Sequence, residues 1–293
     1  MPRFSERIGV VKRSKALQVD SMSDELRNSL WNLFLQLYDD REDRYWSRVA
    51  PYIARYFRKV PADELPYQDY DLRQWVKDYF FDLAWYTAYD LTEFLVRSHT
   101  EITTISYGYG DHSQSHRVNS ERFMNAVNWI LEQELSGFRF IQGVLAPITD
   151  SAEVAEIEGA ADAAREAGLD GARVHIRTAI ELIGKKPTPD YRNAIKEAIS
   201  AVESVSKQIS GSDSASLDPA LKKLATKVGI HGALKEGFSR LYGFTSDEDG
   251  IRHAIMDQPS VGFAEAKYMI VSCSAFVHYL IQKAEEAGLL KQK

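Results

Sequence analysis

The residues best suited to chemistry in this 293-residue chain are Arg252 and His253. They stand side by side behind a short acidic, glycine-containing stretch, Asp247-Glu248-Asp249-Gly250. An imidazole with an ordinary pKa near ~6.5 can take or give a proton at neutral pH. A guanidinium can hold a phosphate through two hydrogen bonds and stabilise charge that develops on it. Together they suffice for attack of a ribose 2′-OH on its own phosphodiester with no metal ion, with Asp249 or Asp247 placed to orient the pair. The same residues have a plainer reading. Thr245 and Ser246 are suited to cap a helix, with Glu248 or Asp249 completing a capping box, which leaves Arg252 and His253 as a surface pair.

Other chemistries find little support. The chain has no GxxxxGK[ST] phosphate loop, no GxGxxG and no HExxH. Its one cysteine, Cys273, excludes thiolate clusters for zinc. His112 and His116 have a metal-compatible spacing, but they lie in a Gly/Ser-rich stretch with no third ligand nearby. No metal and no cofactor are expected. Cys273 sits among Met269, Ile270 and Phe276 and reads as a core thiol, since a reactive one needs an accessible, electropositive setting. His278 reads as structural, His231 as a helix start, and Glu203 as a surface acid.

Composition bounds the rest. A hydrophobic fraction of 44% and a charged fraction of 27% describe an ordinary globular protein. The length suggests two domains. A single thiol fits a reducing compartment. The polar opening Met1-Pro2-Arg3-Phe4-Ser5-Glu6-Arg7 lacks the apolar core of a signal peptide, and no stretch reads as a membrane span. A cytoplasmic protein without membrane partners is expected. The net charge of −6 is uneven. Met1–Gly184 holds 21 basic and 29 acidic residues, and Lys185–Lys293 holds 15 and 13. On that count the first part is a poor general surface for nucleic acid, whereas the second is permissive.

The elements that must position these residues are nearly all helical. Ser21 or Ser23 caps a first helix marked by Leu26, Leu30, Leu33, Phe34 and Leu37. A second spans about 44–59, with a break or kink at Pro51. Aromatic-rich sequence from 70 to 97 divides near Tyr86-Thr87. Residues 98–118 read as a loop, and 121–135 as a helix. Phe138–Ile148 reads as a small β-hairpin turning at Gln142-Gly143. Ser151 then caps the first helix of a C-terminal bundle. Its members fall at 152–167, 170–183, 191–209, 217–227, 233–241 and 263–286. The expected fold is all-α: an N-terminal helical domain with a hairpin, 1–150, then a helical bundle, 151–293. The five tryptophans, at 31, 46, 75, 85 and 129, read mainly as core.

Several of these segments resemble the AbiJ-like abortive-infection proteins with a C-terminal HEPN domain. The run Pro189–Glu203, the loop Tyr242–Ala254 and the helix Ala266–Phe276 are similar to that domain. Phe4-Ser5-Glu6-Arg7, Leu26–Trp31 and the hairpin resemble the N-terminal domain ahead of it. The resemblance implies a helical bundle that dimerises and, in many members, cleaves RNA without metal through an Arg and a His shared across the dimer. His253 occupies the histidine place of the pattern R-N-x-x-G-x-G-H, and Gly250 matches a glycine. Ser246 falls where the arginine stands, and Arg252 replaces a small residue. Either Arg252 takes the phosphate role from a shifted place, or the domain is a catalytically inactive module for dimerisation and partner binding. By the same resemblance Arg192, Asn193 and Glu197 support the His253 loop; read as residues alone, they are a solvated helix face. The N-terminal domain would answer a phage-derived trigger or a cellular regulator and hold the toxin silent. No tyrosine follows His253 in Ala254-Ile255-Met256, so no modification site is expected there.

Overall fold

The computed structural model describes residues 8, 17–38, 45–103, 120–185, 188–212, 217–246 and 261–290. The fold is all-α with one small two-stranded hairpin. The chain forms two compact units, Met1–Leu145 and Ala146–Lys293.

The first unit holds α1 (Asp24–Tyr38), α2 (Trp46–Tyr52), α3 (Asp69–Asp82), α4 (Trp85–Thr103) and α5 (Ser120–Gln133). A π-helical stretch, Ile53–Arg58, continues α2. The strands are β1 (Arg139–Ile141) and β2 (Val144–Ala146). Ser23 caps α1 through its Oγ, which accepts from the Leu26 amide at 3.3 Å. The core is aromatic. Trp31, Phe34, Tyr38, Trp46, Phe80 and Phe123 meet mostly edge-on or tilted, with centroids 5.3–6.4 Å apart, and Trp31 stacks on Phe80 at 6.2 Å, as ring quadrupoles prefer. Tyr38 OH and His99 Nδ1 are 3.0 Å apart inside it. Trp129 departs from the expected core role: it is 63% exposed on the outer side of α5.

The arm before α1 is stitched to the end of α5. The Gln18 amide donates to Leu135 O, and Gly137 N donates to Gln18 O, each at 2.8 Å. A Cβ at Gly137 would lie 2.8 Å from Val19 Cγ1, so this approach requires glycine. In the hairpin, Gln142 and Gly143 both have positive φ, 51° and 77°, as a tight two-residue turn demands. Asn128 on α5 clamps β1 by accepting from Phe140 N at 2.7 Å and donating to Phe140 O at 2.9 Å.

The aromatic stretch divides earlier than Tyr86-Thr87. α3 ends at Asp82 and α4 starts at Trp85. Arg27 is the reason. Its Nη1 donates to Phe80 O at 2.6 Å and reaches Phe81 O at 3.5 Å. Those carbonyls would otherwise receive the amides of the next helical turn.

The second unit comprises α6 (Ser151–Glu166), α7 (Asp170–Gly184), α8 (Tyr191–Ser210), α9 (Leu217–Val228), α10 (Gly232–Ser246) and α11 (Phe263–Glu286). Asp150, not Ser151, caps α6; its carboxylate accepts from the amides of Ala152 and Glu153 at 3.0 and 3.1 Å. A carboxylate is the stronger acceptor and its charge suits a helix N-terminus. The central helix is α8, which packs against α7, α9 and α11. Its stripe Ile195, Ala198, Ile199, Val202 and Val205 is buried. α11 buries Met269, Ile270, Cys273, Phe276, Val277 and Leu280. α10 is longer than expected: the backbones of Thr245 and Ser246 belong to its last turn, and the helix they are expected to cap lies outside the described residues.

Candidate functional site

Of the residues singled out for chemistry, His253, Arg252, Asp249 and Asp247 lie outside the described residues. So do His112 and His116. Ser246, at the place of the family's arginine, closes α10.

The supporting residues Arg192, Asn193 and Glu197 fall on the first two turns of α8. Asp190 is its N-cap, accepting from the Asn193 amide at 3.1 Å and from Asn193 Nδ2 at 2.8 Å. Asn193 is therefore held by its own cap. Glu197 reaches across to α7, where its Oε2 lies 2.7 Å from His175 Nδ1. The two stand 22 positions apart, and no spacing in the sequence signals the pair. Arg192 is half-buried and makes no hydrogen bond or ion pair with a described residue.

The opening of α8 meets the opening of α11. The rings of Tyr191 and Phe263 have centroids 6.4 Å apart. The chain re-enters the described structure at Val261, two residues before that contact. Gly262 is the N-cap of α11, and its amide donates to Glu265 Oε2 at 2.9 Å. That backbone hydrogen bond holds the Glu265 carboxyl below the usual carboxylate range. Arg192 and Asn193 thus stand one and two residues past a ring that packs on the first turn of α11.

The other polar groups of this unit do structural work. His278 Nδ1 on α11 lies 3.3 Å from Glu156 Oε1 on α6, and its ring faces Gly159, where an added Cβ would meet it at 3.5 Å. Lys267 Nζ donates to Glu153 Oε1 at 2.7 Å. Glu203 pairs with Lys207 at 2.5 Å along α8. His231 Nδ1 accepts from the Ala233 amide at 3.2 Å and so starts α10. Cys273 is 1% exposed, and burial pushes its thiol above the usual range. Among the described residues no group of three His, Cys, Asp or Glu could hold a metal ion. Among them, too, no helix is long and apolar enough to cross a membrane.

Fold and site together define a helical protein of two units, a hairpin-bearing aromatic bundle followed by a bundle built around one long helix. Residues 2–163 match the family model of AbiJ N-terminal domain 4, which is more than half of the chain. The chain belongs to the AbiJ-like family. The matched region runs past the hairpin and through most of α6. Neither the curated proteins nor the solved structures gave a match.

Proposed function

We propose that this is a phage-defence protein of the abortive-infection class whose second unit is a HEPN-like bundle that cleaves RNA without a metal ion. The observation that carries the defence role is membership of the AbiJ-like family. The Tyr191–Phe263 contact is consistent with the site, because it sets Arg192 and Asn193 at the end of the bundle where α11 begins, the helix that follows the Arg252–His253 segment in the chain. The regulatory part spans 1–150 and the effector part 151–293.

In this reading the 2′-oxygen attacks the adjoining phosphorus, and the bond from phosphorus to the 5′-oxygen breaks. The products are a 2′,3′-cyclic phosphate and a 5′-hydroxyl. His253 moves the proton, and Arg252 binds the phosphate and its developing charge. Asp249 or Asp247 orients the pair. Arg192, half-buried and without a described partner, supplies a second cation beside the loop. The effector unit works as a homodimer in the cytoplasm, and a phage-derived trigger or a cellular regulator acts through the first unit.

A second reading has its own support. Ser246 stands where the family motif has its arginine, so the bundle would dimerise and bind a partner without turnover. Arg252→Ala and His253→Ala separate the two. Under the first reading each variant abolishes RNA cleavage while the helical circular-dichroism signal is unchanged. Cleavage that survives both substitutions sinks the site assignment.

A further inference from the structure

The first unit is acidic overall, yet one stretch within it is not. From Tyr45 to Pro61 the sequence holds Arg48, Arg55, Arg58 and Lys59 and no Asp or Glu. None of the four cations makes an ion pair with a described residue. Clustered cations are the electrostatic footprint of a polyanion site.

The local helix geometry sorts these residues onto two sides. Pro51 has no amide to give the helix ladder, and from Ile53 the chain widens into the π-helical stretch. At about 100° per residue in α2 and roughly 80° in the wider stretch, Arg48, Tyr52, Arg55 and Tyr56 fall on the side away from Val49, Ala50, Ile53 and Ala54, with Lys59 at its edge. Val49, Ala50, Ile53 and Ala54 are buried, whereas Arg55, Tyr56, Arg58 and Lys59 are exposed. Arg58 points the other way and lies over the rings of Tyr79 and Trp75, at 4.3 and 4.9 Å. Lys59 ends the stretch in the left-handed region, φ 56°, a conformation few non-glycine residues adopt.

Aromatic rings lie among the cations. Tyr56 is 54% exposed and packs on Tyr52 with centroids 4.6 Å apart. Tyr52 rests on Phe94 at 5.6 Å, and its hydroxyl donates to Glu101. The outer tyrosine is therefore held on one side by Tyr52 and more than half exposed. Glu101, itself exposed, accepts that hydroxyl's hydrogen bond. Arg48 lies over the Tyr45 ring at 5.5 Å. A fixed, exposed ring flanked by cations is what a single strand needs: a plane on which a base stacks and charges that follow its phosphates.

We propose that the exposed side of α2 and the π-helical stretch binds single-stranded nucleic acid, with Tyr56 stacking a base and Arg55 and Lys59 holding the neighbouring phosphates. The site lies in the first unit and is independent of cleavage by the second. Counting charge over the whole N-terminal part averages this strip with the acids around it and hides it.

The test is fluorescence anisotropy of the full chain with labelled oligomers of thymidine and of 2′-O-methyl-uridine. Neither can undergo 2′-OH attack, so binding is read without turnover, and the two arms tell DNA from RNA. Tyr56→Ala should weaken binding roughly tenfold. The double variant Arg55→Gln, Lys59→Gln should lower the salt slope of log K by about 1.4, at roughly 0.7 per phosphate contact on a single strand. Unchanged melting curves would show that the exposed substitutions leave the fold intact. Wild-type protein that binds neither oligomer, or variants that keep the wild-type affinity and salt slope, would overturn the proposal. Either of those results leaves the cleavage reading of the second unit standing. Strand binding lost in the variants of a protein that never cuts RNA would support this site and count against cleavage.

Discussion

His175 on α7 and Glu197 on α8 are joined by a 2.7 Å contact between Nδ1 and Oε2, tying together two helices that pack along their lengths. Both side chains are partly exposed, at 35% and 23%, so the link contributes modestly. Glu197→Ala should cost about 1 kcal/mol and lower the midpoint of thermal unfolding by a few degrees, roughly 2–4 °C. RNA cleavage should survive, because the carboxylate is committed to His175. Cleavage lost at an unchanged midpoint would instead move Glu197 into the chemistry.

Arg27 is 9% exposed and ends α3 by donating to the Phe80 carbonyl, with its guanidinium over the Phe80 ring at 5.7 Å. Arg27→Met keeps an apolar stem but leaves that carbonyl without its donor. The expected loss is on the order of 2–3 kcal/mol. Denaturant unfolding followed by tryptophan fluorescence reads it well, since all five tryptophans lie before Leu145. A midpoint equal to wild type would mean the cap is dispensable.

Tyr89 is 6% exposed, and burial pushes its hydroxyl up to about 12. Its hydrogen bond with Ser136 Oγ at 2.7 Å offsets part of that rise. Tyr38, fully buried, is raised as well. The folded value of Tyr89 lies above the unfolded value of about 10. Its contribution is therefore complete below pH ~10 and is lost as pH climbs toward ~12, by roughly 3 kcal/mol for a two-unit shift. Stability measured by urea titration should fall over that window, and Tyr89→Phe should flatten the fall. A Tyr89→Phe profile as steep as wild type would refute the assignment.

Gly159 lies in the middle of α6, and a Cβ there would meet the His278 ring at 3.5 Å, an ordinary contact. Gly159→Ala removes the entropic cost of a helical glycine without a clash. It should stabilise the protein by about 0.5–1 kcal/mol, seen as a higher thermal midpoint. A lower midpoint would mean that His278 and Glu156 need the close approach.

Much of the fold is legible in the sequence because apolar periodicity is a strong local signal. The stripe on α8 and the span of α11 can be read from Ile195–Val205 and Phe263–Glu286, and Gln142-Gly143 announces its turn. The misread features depend on long-range contacts. Nothing near Leu83 foretells that Arg27, far back in the chain, will end α3. α10 runs through Thr245 and Ser246 although its expected end lies at Leu241. Trp129 reads as core from its helical spacing but stands on the outer side of α5. The Arg252–His253 pair is legible as chemistry; its setting in space is not, because such a site is made by elements distant in sequence. The charged strip at Arg48–Lys59 is legible only once the turn at Pro51 shows which residues share a side.

The central claim is metal-independent cleavage of RNA through His253. The most direct test incubates the full protein with end-labelled total RNA in EDTA, beside His253→Ala. Cleavage by the wild type alone, leaving 2′,3′-cyclic phosphate ends, is the predicted result. Equal cleavage by both proteins, or cleavage that EDTA abolishes, would contradict it.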